Sequence, residues 1–228
     1  MHTDVNNVVA VGWNAGKYIG ADGTIAIGYE ALKVHTTGAR NMAIGYGAMN
    51  DTDAGSTSLG SNDNIFIGYD AGGGTWANVA SNENIAIGNY SMDGALNGAL
   101  GNIALGNLSL SAITSGDDNV AIGYAALQAA DGGESSNVAI GGGAGMSINN
   151  DASDSNVFIG IYAGKGGTGE LDRCVAIGFQ AMDGTGTVAG QQNIFIGDNA
   201  GGGTWTTAAS NSNVAIGATA MSAALNGA

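Results

Sequence analysis

A nine-residue phrase recurs twelve times along this chain and restricts its possible folds more than any other feature. Residues 64–72 are a representative copy and read NIFIGYDAG. Each copy has apolar residues three and one positions before an invariant glycine, and Ala or Ser three positions after it. The glycines lie 16 to 23 residues apart, at Gly12, Gly28, Gly45, Gly68, Gly88, Gly106, Gly123, Gly141, Gly160, Gly178, Gly197 and Gly217. This regularity predicts a repeat protein with one structural unit per copy.

A longer period lies above the short one, because residues 64–99 recur with few changes as residues 193–228. A uniform repeat over all 228 residues favours one elongated domain, residues 1–228, over two separate domains. We expect this domain to be a segment of a longer fibre.

Each unit reads as a short strand, a tight bend at the glycine and a second short segment that crosses back. The alternation places residues one and three of the strand on one face and residue two on the other. The glycine is expected to adopt a backbone conformation that a Cβ would penalise. Stacking such units in parallel predicts an all-β solenoid of twelve coils, about 58 Å long at about 4.8 Å per coil.

An Asn precedes the strand in nine copies. Asn tolerates left-handed backbone geometry, and stacked Asn side chains form hydrogen bonds between successive strands. We therefore predict a structural Asn ladder at Asn41, Asn64, Asn84, Asn102, Asn119, Asn137, Asn156, Asn193 and Asn213. Cys174 occupies the same slot and is the only cysteine, so an internal disulfide is excluded.

The middle residue of the strand is apolar in all twelve copies, nine times Ala and three times Phe. If the branched residues on either side fill the thin core, the middle residue faces outward, and an outward row this apolar needs a cover. We therefore expect an oligomer with interface residues Ala26, Ala43, Phe66, Ala86, Ala121, Phe158 and Phe195.

The three Phe copies share a second feature. Each carries Gly four positions after its invariant glycine, at Gly72, Gly164 and Gly201, whereas seven of the nine Ala copies carry Leu or Met there. A large residue at one place is offset by a small one at the other, as close packing demands. We expect the two positions to meet in space, across a subunit boundary.

The chain is strongly acidic, with a formal net charge of −14 and only five Lys and Arg residues. This charge opposes binding to nucleic acid or to anionic lipid. No apolar run approaches the length of a membrane span, and the N-terminus does not read as a secretory signal. We expect no nucleic-acid partner and no membrane insertion.

Residues suited to catalysis are scarce. The two histidines, His2 and His35, have no evident nucleophile or metal partner nearby in sequence, and no phosphate-binding loop motif occurs. We expect a non-enzymatic protein without a cofactor. Calcium bound by acidic loops is the alternative left open, at Asp51/Asp53, Asp117/Asp118 and Asp151/Asp154.

The segments between units vary most, and loops on a rigid scaffold commonly carry recognition. Trp76 and Trp205 occupy matching GGGTW loops, and Asp51 and Asp53 lie in the longest inter-unit segment. These four residues are the candidate receptor contacts. For the tryptophans the alternative is structural, as plugs that cover the roll or brace a neighbouring chain.

The pattern Asn-Val/Ile-Ala-Ile-Gly-x-x-Ala/Ser, as in residues 119–126, resembles the head repeats of YadA-like trimeric autotransporter adhesins and similar repeats of phage tail fibres. The resemblance covers about residues 5–228. It implies a left-handed parallel β-roll, packed side by side as a homotrimer, with Val120 and Ile122 in the core and Ala121 at the subunit contact.

These observations favour an extracellular fibre segment involved in host adhesion, from a phage tail fibre or a similar virion appendage. The expected partners are two further copies of the chain and a cell-surface glycan or protein receptor. Two alternatives remain, namely the head of a bacterial autotransporter adhesin and a polysaccharide-degrading β-solenoid. The second would require paired carboxylates in a groove.

Overall fold

The computed structural model describes residues 6–52, 60–77, 79–205 and 208–223. Its fourteen strands are short, and twelve of them coincide with the repeated phrase. They are β1 (Val9–Val11), β2 (Ile25–Ile27), β3 (Met42–Ile44), β4 (Ile65–Ile67), β5 (Ile85–Ile87), β6 (Ile103–Leu105), β7 (Val120–Ile122), β8 (Val138–Ile140), β9 (Val157–Ile159), β10 (Leu171–Asp172), β11 (Val175–Ile177), β12 (Gly190–Gln191), β13 (Ile194–Ile196) and β14 (Val214–Ile216).

All strands except β10 and β12 form one parallel sheet in chain order, and β10 pairs with β12 in a second small sheet. The pairing is in register, so that Ala26 lies beside Ala43 and Ala43 beside Phe66. The described residues contain no helix. The predicted all-β parallel solenoid is therefore confirmed, with twelve stacked strands joined by about eleven turns.

The inner and outer faces of the sheet are the reverse of those predicted. In β2 to β9, β11, β13 and β14 the middle residue is buried within its own chain, whereas the residues on either side are half-buried or exposed. Val120 and Ile122, expected in the core, are half-buried on the outer face. The predicted subunit contacts are wrong, because all seven are fully buried inside the roll: Ala26, Ala43, Phe66, Ala86, Ala121, Phe158 and Phe195.

The reason lies in the width of the roll. The segment after each glycine folds back against the middle of the strand, and its Ala or Ser together with its Leu or Met fills the interior. Only one side chain per strand fits into so thin a space, and a small one fits best. Alternation shows that the two faces differ, but it does not show which face is inside.

The pairing of Phe with Gly is confirmed, but it acts within one chain. A Cβ on Gly72 would lie 2.5 Å from Phe66 Cδ1, a Cβ on Gly201 would lie 2.6 Å from Phe195 Cδ1, and one on Gly164 would come closer still to Phe158. The two Ala coils that also carry Gly have other residues in that space. Ile19 fills it beside Gly16, and Leu127 together with Phe158 of the next coil fills it beside Gly145.

The invariant glycines have φ between +125° and +147°, a region that L-residues rarely adopt. A Cβ on Gly123 would lie 2.6 Å from the carbonyl oxygen of Gly141 in the next coil. The prediction of a conformation that only glycine accepts is confirmed. The close spacing of the coils adds a second reason for the invariance.

The Asn ladder is also confirmed. Asn64 donates its backbone N–H and its side-chain amide to Asn41 Oδ1, both at 3.0 Å, and Asn84 donates in the same way to Asn64. The pattern continues through Asn156. At Cys174 it is interrupted, since only a sulfur stands 4.0 Å from the Asn193 amide, and it resumes between Asn193 and Asn213.

Candidate functional site

The most extensive surface feature is the outer face of the twelve-stranded sheet. Each strand presents its first and third residues there, and all of them are aliphatic or Met. We call these two rows the outer rows. Several of their members are well exposed, among them Ile87, Ile140, Ile159, Ile194 and Ile216. No acidic or basic residue interrupts either row, so the face is uncharged along the whole sheet.

A column of aromatic residues lies just after the invariant glycines, by one position at Tyr29, Tyr46 and Tyr69 and by two positions at Tyr90. Tyr29, Tyr46 and Tyr69 stack on one another with ring centroids 4.8 and 5.1 Å apart, and Tyr90 meets Tyr69 edge-on at 5.3 Å. Partial desolvation in this stack raises the pKa of Tyr46. Tyr29, Tyr46 and Tyr69 therefore contact one another through their ring faces.

The two loop tryptophans are interior residues. Trp76 and Trp205 are each only 2 % exposed, and their indole N–H groups donate to the carbonyl oxygens of Gly72 and Gly201. Trp76 packs edge-on against Phe66 at 5.5 Å. The receptor-contact role predicted for the tryptophans is wrong, because neither ring is accessible, and their structural alternative of plugging the roll is confirmed.

The predicted contacts in the longest inter-unit segment divide between two cases. Asp51 is half-buried and accepts a hydrogen bond from Thr75 Oγ1 at 3.1 Å, so its carboxylate holds the next coil in place. The backbone carbonyl oxygen of Asp51 also accepts a hydrogen bond from the backbone N–H of Trp76. Asp53 lies outside the described residues.

Two acidic residues considered as calcium ligands instead hold backbone groups. Asp117 Oδ1 accepts the N–H of Leu100, and Asp154 Oδ1 accepts the N–H of Ser135, both at 2.8 Å. Asn62 and Asn82 do the same six positions before their own glycines. This second line of side-chain acceptors links one coil to the next, which gives Asp117 and Asp154 a structural role.

Another acidic group does converge. Asp131, Glu134 and Asp151 each have a carboxylate oxygen within 4.8 Å of the others, and only Glu134 is buried. Burial raises the pKa of Glu134, and the neighbouring charge of Asp131 acts in the same direction. We refer to these three residues as the acidic cluster.

Of the acidic cluster, only Asp151 is among the calcium ligands considered from the sequence. A signal for the other two was present in the repeat, because Glu134 falls seven positions before Gly141. The corresponding residues of neighbouring coils are small, for example Ser81, Ala99, Gly116 and Ser153. Glu134 is the only acidic residue in this slot, which other coils fill with small residues or, before Gly178, with Leu171, but this is visible only after the coils are aligned.

No family model, curated protein or solved structure matches the chain. The described part of the chain has no helix of a length and hydropathy suited to crossing a membrane.

Proposed function

We propose that this chain is a non-enzymatic structural and attachment segment of an extracellular fibre, as in a phage tail fibre or a similar virion appendage. In this proposal three left-handed β-rolls of twelve coils assemble side by side. The observation that supports the assembly is the uncovered face formed by the outer rows.

The size of this face favours a permanent partner. Twelve strands at about 4.8 Å and three residues at about 3.3 Å give a face of roughly 58 by 10 Å, or about 600 Å² before the aromatic column is added. That is at the upper end of the largest apolar patch of a typical soluble monomer, about 300–600 Å². Exposed Ile and Val on an open sheet are also unfavourable in water.

Further copies of the same chain are the occupants that fit this face best. The outer rows repeat once per coil along the whole sheet, so a matching partner must present apolar side chains at the same step over the same length. A parallel copy does so without adjustment. The net charge of −14 opposes contact through the remaining surfaces, which makes the uncharged face the favourable place of association.

A trimer is proposed because the face is narrow and because the repeat resembles the head repeats of trimeric adhesins. Sheets pack about 10 Å apart, which is close to the width of this face. Three such faces around a common axis therefore enclose a triangular core only a few side chains wide. The inter-coil segments then remain outside, where a cell-surface glycan or protein can reach them.

The mass in solution tests the assembly. Analytical ultracentrifugation should give about 67 kDa, three times the 22.3 kDa of one chain. Ile87→Glu places a charge in the outer rows and should shift the protein towards single chains. Val79→Glu is the matched control, because Val79 is exposed to a similar degree but lies off the sheet, and it should leave the mass unchanged.

A wild-type mass of 22 kDa across micromolar concentrations would overturn the assembly, and a mass of 45 kDa would replace the trimer by a dimer.

The attachment role has its own test. The protein should bind intact bacterial surfaces or glycans without shortening them, and the appearance of new reducing ends would contradict a non-enzymatic role.

A further inference from the structure

Glu134 occupies an interior place that most coils fill with a small side chain and the coil of Gly178 fills with Leu171. The residue seven positions before the invariant glycine is buried in neighbouring coils, as Gly116 in the coil before and Ser153 in the coil after. Glu134 is fully buried as well, and no other acidic side chain among the described residues is. A buried carboxylate is costly unless a cation or several hydrogen bonds compensate its charge.

The protein compensates this charge only in part. Glu134 Oε2 accepts the N–H of Gly132 at 2.9 Å. The backbone of Glu134 itself and that of Asn150 also act to lower the pKa of this carboxyl, but Oε1 is buried without a hydrogen-bond partner of normal geometry. None of the three ion pairs of the described residues involves the acidic cluster; they are Lys33–Glu30, Arg40–Asp63 and Arg173–Asp172. A buried carboxylate oxygen without a hydrogen-bond partner is a position where a cation could bind.

The three carboxylates are spaced as ligands of one ion. Calcium binds oxygen at about 2.3–2.6 Å, so two oxygens on one calcium ion lie at most about 5 Å apart. The carboxylate oxygens of the cluster lie within 4.8 Å of one another. The loop also holds Asp151 in place, since its Oδ1 accepts the N–H of Gly133 at 3.2 Å and lies where a Cβ of Gly132 would be.

We propose that Asp131, Glu134 and Asp151 bind a divalent cation, with Ca²⁺ as the preferred ion. The cluster offers only oxygen atoms, which suits Ca²⁺ and not the nitrogen and sulfur preference of Zn²⁺. Asp131 and Glu134 follow β7, whereas Asp151 follows β8. The ion joins two successive coils and supplies the positive charge that compensates the buried Glu134 carboxylate.

Calorimetry and thermal unfolding of the purified protein test this site. After treatment with a chelator, titration with CaCl₂ should show one saturable site per chain. At a hundredfold excess of Ca²⁺ over its Kd, the melting temperature should rise by about 5–10 °C. Mg²⁺ at the same concentration should give a smaller rise, because it demands a tighter octahedral arrangement.

Glu134→Gln keeps the shape of the side chain and removes its charge. This variant should lose Ca²⁺ binding and the associated rise in melting temperature. Glu83→Gln is the matched control, because it removes one negative charge from an exposed position outside the cluster and should keep both responses. Asp151→Asn is a second cluster variant, for use if Glu134→Gln folds poorly, and it should also lose the response.

The proposal is overturned if the wild-type protein shows neither heat of binding nor a shift with millimolar Ca²⁺. It is equally overturned if Glu134→Gln and Asp151→Asn bind Ca²⁺ as the wild type does. If Glu83→Gln reduces the Ca²⁺-induced rise in melting temperature as much as Glu134→Gln does, the rise is a general charge effect, and this result would also contradict the site. None of these outcomes depends on the oligomeric state.

Discussion

The two faces of the twelve-stranded sheet are both apolar, yet they follow different rules. The inner row holds one residue per strand, Ala or Phe, and its size is matched to the residue that folds over it, as Phe66 is matched to Gly72. The outer rows hold two residues per strand, all aliphatic or Met, with no matching partner inside the chain.

This contrast separates a closed interior from an open surface. A compensated pair such as Phe158 with Gly164 is the mark of a closed interior, where volume must be conserved. Ile and Val repeated without compensation are typical of a surface that meets a regular partner. Within one sheet, then, the inner row stabilises the coil, and the outer rows are available for assembly.

The largest expected effect is on the inner row. Phe66→Ala should destabilise the protein by about 3–5 kcal/mol, because it leaves a cavity beside Trp76. Gly72→Met alone should also destabilise it, by about 1–3 kcal/mol, through overpacking against the Phe66 ring. The double variant recreates the neighbouring coils, where Ala43 and Met49 occupy the same two places, and should recover part of the loss.

Denaturant unfolding of the four proteins of this cycle measures the coupling between the two positions. We expect the double variant to be more stable than the sum of the single changes predicts, by about 1–3 kcal/mol. If the two single changes in the free energy of unfolding simply added up in the double variant, the sizes of Phe66 and Gly72 would not be matched, and the proposed difference between the inner row and the outer rows would be contradicted. Ile67→Ala on the outer face of the same strand is the control and should cost less than Phe66→Ala at concentrations where single chains predominate.

Most of the fold was predictable because its determinants are local and repeated. The invariant glycine, the Asn before each strand and the three-residue alternation are all visible in residues 119–126. The size pairing of Phe66 with Gly72 was also visible, because a compensating change leaves a trace in the repeat. These features gave the solenoid, the Asn ladder and one spatial contact.

The orientation of the sheet was not predictable in the same way. Alternation leaves two solutions, and the larger residues, such as Val120 and Ile122, would ordinarily be placed inside. The roll has room for only one inward side chain per strand and not for two, and this depends on how the segment after the glycine folds back. The acidic cluster was missed for a related reason, since Asp131 and Asp151 are distant in sequence and meet only through the stacking of coils.

Replacing a buried Asn and an exposed Asn compares how much each contributes to stability. Asn102→Ala should destabilise the protein by about 2–3 kcal/mol, because it leaves the N–H groups of Asn119 and the Gly116 carbonyl without their partner. Asn107→Ala, on the exposed position after Gly106, should change the stability by less than about 0.5 kcal/mol. Equal effects of the two changes in thermal unfolding would show that the ladder contributes little.

The smallest expected effect is a gain. Cys174 interrupts the Asn ladder, and its Sγ stands 3.2 Å from the Gly190 carbonyl, in the place where the other ladder members put an amide nitrogen. Cys174→Asn would donate to that carbonyl and offer Asn193 an oxygen, so stability should rise by about 1–2 kcal/mol. Cys174→Ser removes the thiol without supplying an amide and should give no such rise. If Cys174→Asn instead lowers the melting temperature while Cys174→Ser does not, the slot accepts only a small side chain, and the interior is less uniform than the repeat suggests.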